Sequence, residues 1–173
     1  MKEDFLNYIG PSDSLSGYSR SYKLVFYKSF FEQMDTTGCA SAYKVSSQFR
    51  EYYLSRKHSG KIADKDVDSR ISDVENSSVE DVYSIILNNP FKHISDRNFI
   101  LKRKDLNEKD QFYLAPQLLK ELSQDDLQQI HDLVETKLSL YFTGIDQELS
   151  NSLQILFNRI LDEYVNSKSD TFA

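Results

Sequence analysis

The densest set of oxygen ligands in the chain runs from position 64 to 75, Asp64-Lys65-Asp66-Val67-Asp68-Ser69-Arg70-Ile71-Ser72-Asp73-Val74-Glu75. Read as a calcium loop, it offers Asp64, Asp66, Asp68, Ser72 and Glu75 at ligand positions 1, 3, 5, 9 and 12, with Ile71 at the apolar position 8. Ser69 stands where a glycine makes the sharp turn that aims such ligands inward, and neither flank sets a helix directly against the loop. A solvated acidic loop is the preferred reading, and calcium is the candidate it competes with. His58, His93 and His131 have no second histidine or cysteine at ligand spacing, so each reads as a surface or helix-end residue and not as a zinc ligand. Cys39, beside Gly38 at an element boundary, reads as a small buried residue and not as a nucleophile. Asp105, Glu108 and Lys109 come nearest to the clustered carboxylates and lysine of a metal-dependent nuclease, but they fall together in one polar turn. With five glycines and neither a GxGxxG nor a Walker sequence, nothing cradles a nucleotide. The residues predict a chain without catalytic machinery and without a cofactor.

The elements that carry these residues follow from the apolar spacing. Leu24, Tyr27, Phe31 and Met34, joined by Phe30, recur every three or four positions and predict a helix from Ser21 to the Thr36-Thr37-Gly38 break. Ser41 caps a second helix with Ala42, Val45, Phe49, Tyr52 and Tyr53 on one face and Lys44, Arg50, Arg56 and Lys57 elsewhere. Residues 59–77 lack a period and read as a long loop, and Ser77 with Glu80 reads as the capping box of a third helix that Pro90 stops. Phe99-Ile100-Leu101 with Lys102-Arg103-Lys104, a polar turn, and Gln111-Phe112-Tyr113-Leu114 predict a β-hairpin. Pro116 opens a short helix. Ser123 caps a longer one with Leu127, Ile130, Val134, Leu138 and Tyr141 as its stripe, ended by Thr143-Gly144. A last helix carries Leu149, Leu153, Leu156, Phe157, Ile160, Leu161 and Tyr164, and that wide apolar face must be buried in the domain or against another chain.

The expected fold class is mainly α with a small β-hairpin: a winged-helix-like three-helix core over 21–115 and C-terminal helices over 116–165. Together these form a single domain, 19–165, between a flexible arm, 1–18, in which Phe5, Leu6, Tyr8 and Ile9 make a short docking segment, and a disordered tail, 166–173. At 173 residues with 39% hydrophobic side chains, including eleven Tyr and eleven Phe, the chain is long and apolar enough for one core. A single cysteine and the lack of a signal peptide or a 20-residue apolar run place it in the cytoplasm, away from the membrane.

Net charge is −6, but unevenly spread. Between 20 and 61 there are eight bases (Arg20, Lys23, Lys28, Lys44, Arg50, Arg56, Lys57, Lys61) against three acids, whereas from 110 onward eleven acids face four bases. Any contact with nucleic acid falls to the early basic part.

Helix, break, helix, helix and basic hairpin is the order of a winged helix. Ser21-Tyr22-Lys23, Phe49-Arg50-Glu51-Tyr52-Tyr53, Asn89-Pro90-Phe91 and Tyr113-Leu114-Ala115-Pro116 further resemble a helical module that accompanies nuclease or helicase domains in bacterial defence and restriction-type proteins, over residues 21–142. The resemblance implies an accessory DNA-associated or partner-docking module and not an enzyme. The wide stripe of the last helix, outside the resemblance, is what offers a surface for a protein partner or a second copy of the chain. The alternative expectation is non-specific DNA binding by Lys44, Arg50, Arg56 and Lys57 with Lys102, Arg103 and Lys104 of the wing, which would contact phosphates without reading bases.

Overall fold

The computed structural model describes residues 1–65 and 70–169, and the side chains of 1–65 and 70–163. It divides into two units, Met1–Leu140 and Tyr141–Ala173. In the first unit the elements run α1 (Lys2–Ile9), α2 (Tyr22–Gln33), β1 (Cys39–Ser41), α3 (Ala42–His58), a 3₁₀ turn (Arg70–Asp73), α4 (Val79–Ile86) and α5 (Lys92–Ser95). After these come β2 (Ile100–Lys104), β3 (Asp110–Leu114), α6 (Pro116–Glu121) and the start of α7 (Gln124–Ser169). The chain is mainly helical with one small antiparallel sheet in the order β1-β3-β2.

The predicted hairpin forms, with Ile100 opposite Leu114 and Lys104 opposite Asp110. Its inner face carries Phe112, whose ring lies 5.3 Å from Phe26 of α2 and 4.9 Å from Phe91, so aromatic packing fastens the ribbon to the helices. β1 was not legible in the sequence: three residues pair with β3 at Cys39–Tyr113 and Ala40–Phe112, too few to show a period. Gly38 leads into it at φ +78°, and a Cβ there would stand 3.0 Å from the Leu119 methyls.

Three local readings are corrected. The capping box belongs to Ser78 and Asp81, one residue beyond the expected Ser77 and Glu80 pair, because Ser78 is the residue that leaves the extended loop with its hydroxyl on the Asp81 amide. Residues 2–9, expected within the flexible arm, form α1. Phe5 and Ile9 are fully buried, and Phe5 packs on Tyr27 and Phe99, so the short apolar cluster docks as a helix. Thr143 and Gly144 do not end a helix but lie inside α7, which runs unbroken from Gln124 to Ser169 and absorbs one interior glycine at a cost of about 1 kcal/mol relative to alanine.

In the second unit, α7 continues. Tyr141, Phe142 and Ile145 are buried, and every residue from 147 to 163 is exposed. None of the described helices is long and apolar enough to cross a membrane.

Candidate functional site

Three cations of α3 serve the loop that follows it. Arg50 Nε donates to the Ser77 carbonyl at 2.7 Å, Arg56 Nε to that of Ile62 at 3.1 Å, and Lys57 Nζ to that of Ser72 at 2.8 Å and to Glu75 Oε2 at 2.7 Å. A long loop with few apolar residues leaves carbonyls to be satisfied, and these half-buried guanidinium and ammonium groups satisfy them. Asp64 is buried and accepts from the Ser21 amide at 3.1 Å and the Ser21 hydroxyl at 2.6 Å, while that hydroxyl meets Tyr53 Oη at 2.6 Å. Burial raises the Tyr53 phenol well above its ordinary pKa, so it stays neutral within this network. Of the calcium candidates, Asp66 and Asp68 lie outside the described residues. Asp64 is turned to Ser21, Glu75 to Lys57, and the Ser72 carbonyl is taken by Lys57. The described ligands serve loop structure.

The hairpin cations have partners too. Lys104 Nζ lies 2.9 Å from Asp110 Oδ1 and Lys102 Nζ 3.8 Å from Asp110 Oδ2, and Asp110 also accepts from Tyr83 Oη at 2.6 Å. The hydrogen bond from Tyr83, then the one from Lys104, holds the Asp110 carboxyl below its ordinary range. Arg103 stacks 4.7 Å from the Tyr113 ring and reaches Cys39 Sγ at 3.3 Å, which leaves the buried Cys39 covered. Asp105 Oδ1 accepts from the Asn107 and Lys109 amides at 2.8 and 2.9 Å, so it shapes the turn. Among the described residues, Lys44 is the one DNA candidate whose side chain has no partner. It lines an open groove of about 620 Å³ with Tyr43, Glu80, Tyr83, Lys104 and Asp110, so acids and bases both border it.

A cluster that pattern reading missed joins α2 to α7. Glu32, His131 and Glu135 bring their ligand atoms within 4.8 Å of one another. Lys28 Nζ lies between the carboxylates, 2.6 Å from Glu32 Oε1 and hydrogen-bonded to Glu135 Oε1, in the place a cation would take. Burial lowers the Lys28 pKa, but the bonds and charges of Glu135 and Glu32 outweigh it and hold the ammonium above its ordinary value. The i,i+4 pairs Lys28–Glu32 and His131–Glu135 are visible in the sequence, but which helix faces which is not.

The apolar face on α7 is the largest feature without an internal account. Leu149, Leu153, Leu156, Phe157, Ile160 and Leu161 are 41, 59, 52, 57, 55 and 44% exposed. At 100° per residue, Leu149, Leu153, Leu156 and Ile160 fall within an arc of about 60°, and Phe157 and Leu161 widen it to about 140°. The side chain of Tyr164, the seventh expected contributor, lies outside the described residues. Compared with protein-family models, with curated proteins and with solved structures, the chain matches none.

Proposed function

We propose that this chain is a non-enzymatic, winged-helix-like accessory module that works through protein contacts, in a bacterial DNA-transaction or defence setting, and that its docking surface is the exposed face of α7. Support for the winged-helix reading is the order α2, β1, α3, α4, β2, β3, with the single-turn α5 inserted before β2 and β1 paired to β3. Support for the setting is the motif resemblance alone. The observation that carries the contact reading is the run of six large apolar side chains, 41–59% exposed, on one side of a helix. Monomeric proteins seldom leave such a continuous patch in water.

The occupant that fits this face best is a second copy of the chain. From Leu149 the stripe advances by four, three and four residues, a spacing that reads the same in both directions. Two copies crossing antiparallel therefore set Leu149 against Ile160 and Leu153 against Leu156 of the second copy, each contact made twice by symmetry. Glu148 and Arg159 lie on the same flank and are related by nearly the same two-fold, so each copy's arginine meets the other's glutamate. Among the described residues Arg159 has only the exposed Glu163 as a partner, at 3.3 Å. The face offers on the order of 600 Å² per chain, and two such faces closed on each other reach the lower bound of about 1,200 Å² for a specific interface.

Sedimentation equilibrium of the full chain tests this: the expected mass is twice 20.2 kDa, falling to one chain in Leu153→Asp and Leu156→Asp with the circular dichroism unchanged. Glu148→Arg alone and Arg159→Glu alone should each weaken the dimer, and the double exchange should restore it. A single-chain mass at every concentration would exclude the second copy. A dimer indifferent to these substitutions would exclude the α7 face itself.

A further inference from the structure

We infer that the pocket between α1, α2 and the segment after α5 binds a phosphate-bearing anion. It has a volume of about 450 Å³ and is lined by Tyr8, Arg20, Tyr22, Lys23, His93 and Arg97 among others, with Asp96 as its one acid. Most half-buried cations of the first unit are answered by a carboxylate: Lys28 by Glu32 and Glu135, Lys57 by Glu75, and Lys2 by Asp126 at 2.6 Å. Here the pattern breaks. Among the described residues no carboxylate stands within ion-pair distance of the half-buried Lys23, nor of the exposed Arg97 beside it. Lys23 Nζ instead lies 4.4 Å from the Tyr8 ring centre and 4.3 Å from that of Tyr18, and Arg97 Cζ lies 5.5 Å from the same Tyr8 ring.

Ring faces attract a cation weakly and do not neutralise it. Two cations flanking one ring at the edge of a pocket therefore leave a positive potential that a ligand can satisfy. Lys137 adds to it, since its ammonium stands 5.0 Å from the other neighbour of Lys23, the Tyr18 ring. Burial, then Lys137 and Arg97, lowers the Lys23 pKa, as expected for an ammonium whose near neighbours are cations. Arg97 supplies a planar fork that matches two phosphate oxygens, and Lys23 a point charge for a third. The volume exceeds that of a bare phosphate and lies in the range of small-molecule sites, so the ligand carries an organic group, for which Tyr8 and Tyr22 offer ring faces. A free nucleotide and a phosphate of a nucleic-acid strand share this chemistry. The site is independent of the exposed 149–161 face of α7 and of how the chain associates.

Isothermal titration of the full chain at matched ionic strength, with pyrophosphate, with AMP and with a short single-stranded oligonucleotide, tests the assignment. AMP should bind, more tightly than pyrophosphate, and its affinity should fall about tenfold or more in Lys23→Met and in Arg97→Gln, each of which removes a charged hydrogen bond. Arg97 is exposed, so its variant keeps the fold even if the lysine change disturbs the tyrosine packing. At equal concentration the ligand should also raise the melting temperature of the parent chain more than that of Arg97→Gln. Binding confined to the oligonucleotide and lost in both variants would assign the phosphate to a nucleic-acid strand. No binding of any of the three probes, or equal binding by parent and variants, would overturn the inference.

Discussion

One apolar rhythm runs the length of α7, and its two halves do opposite things with it. Ile130, Val134 and Leu138 are at most 3% exposed, whereas Leu149, Leu153, Leu156 and Ile160, at the same three- and four-residue spacing, are 41–59% exposed. Hydrophobic periodicity reports that a face is to be covered. It does not report by what. The first half is covered within its own unit, and the second remains open to another molecule.

The largest way to sharpen that contrast is to empty the covered half. Leu138→Ala should cost about 2–5 kcal/mol in urea unfolding, the range for a large aliphatic removed from a core. Next comes the ion cluster beside it: Lys28→Met removes the cation between two partly exposed carboxylates, which keep Gln48 and His131 as neighbours, and should cost about 1 kcal/mol by the same measurement. A smaller effect is expected in acid. Lys2, then Ser123, holds the Asp126 carboxyl from its ordinary 3.8 down to about 2. A carboxyl depressed in the folded state stabilises it above the unfolded value and loses that contribution as pH falls through the folded one. Melting temperatures should therefore drop between about pH 4 and pH 2, and less steeply in Asp126→Asn. The smallest change is expected from Leu156→Ala in dilute solution, within about 0.5 kcal/mol of the parent chain, as for an exposed position. If it costs as much as Leu138→Ala, the contrast between the halves is wrong.

Much of this architecture was legible in the residues. The aromatic stripes of α2 and α3, the Ser41 and Ser123 caps and the 100–114 hairpin follow from local periodicity and capping chemistry, which need only neighbours in sequence. The same reasoning took Arg50, Arg56 and Lys57 for a solvent-facing basic surface, because periodicity locates a polar face without saying that a long loop will lie across it. α1 was hidden for a related reason. Eight residues with Phe5 and Ile9 on one side are too short to announce a helix, and what orders them is packing against Tyr27, Phe31 and Phe99 from distant positions. The pocket around Lys23 and Arg97 likewise assembles cations 74 residues apart in the chain, so no motif could contain it.

Hydrogen exchange along α7 tests the central claim most directly. In dilute solution the amides of 130–140 should be protected to near the global unfolding limit, while those of 149–163 exchange far faster and slow as the chain is concentrated. Equal and strong protection of both stretches at the lowest concentration, unchanged on concentrating, would contradict it.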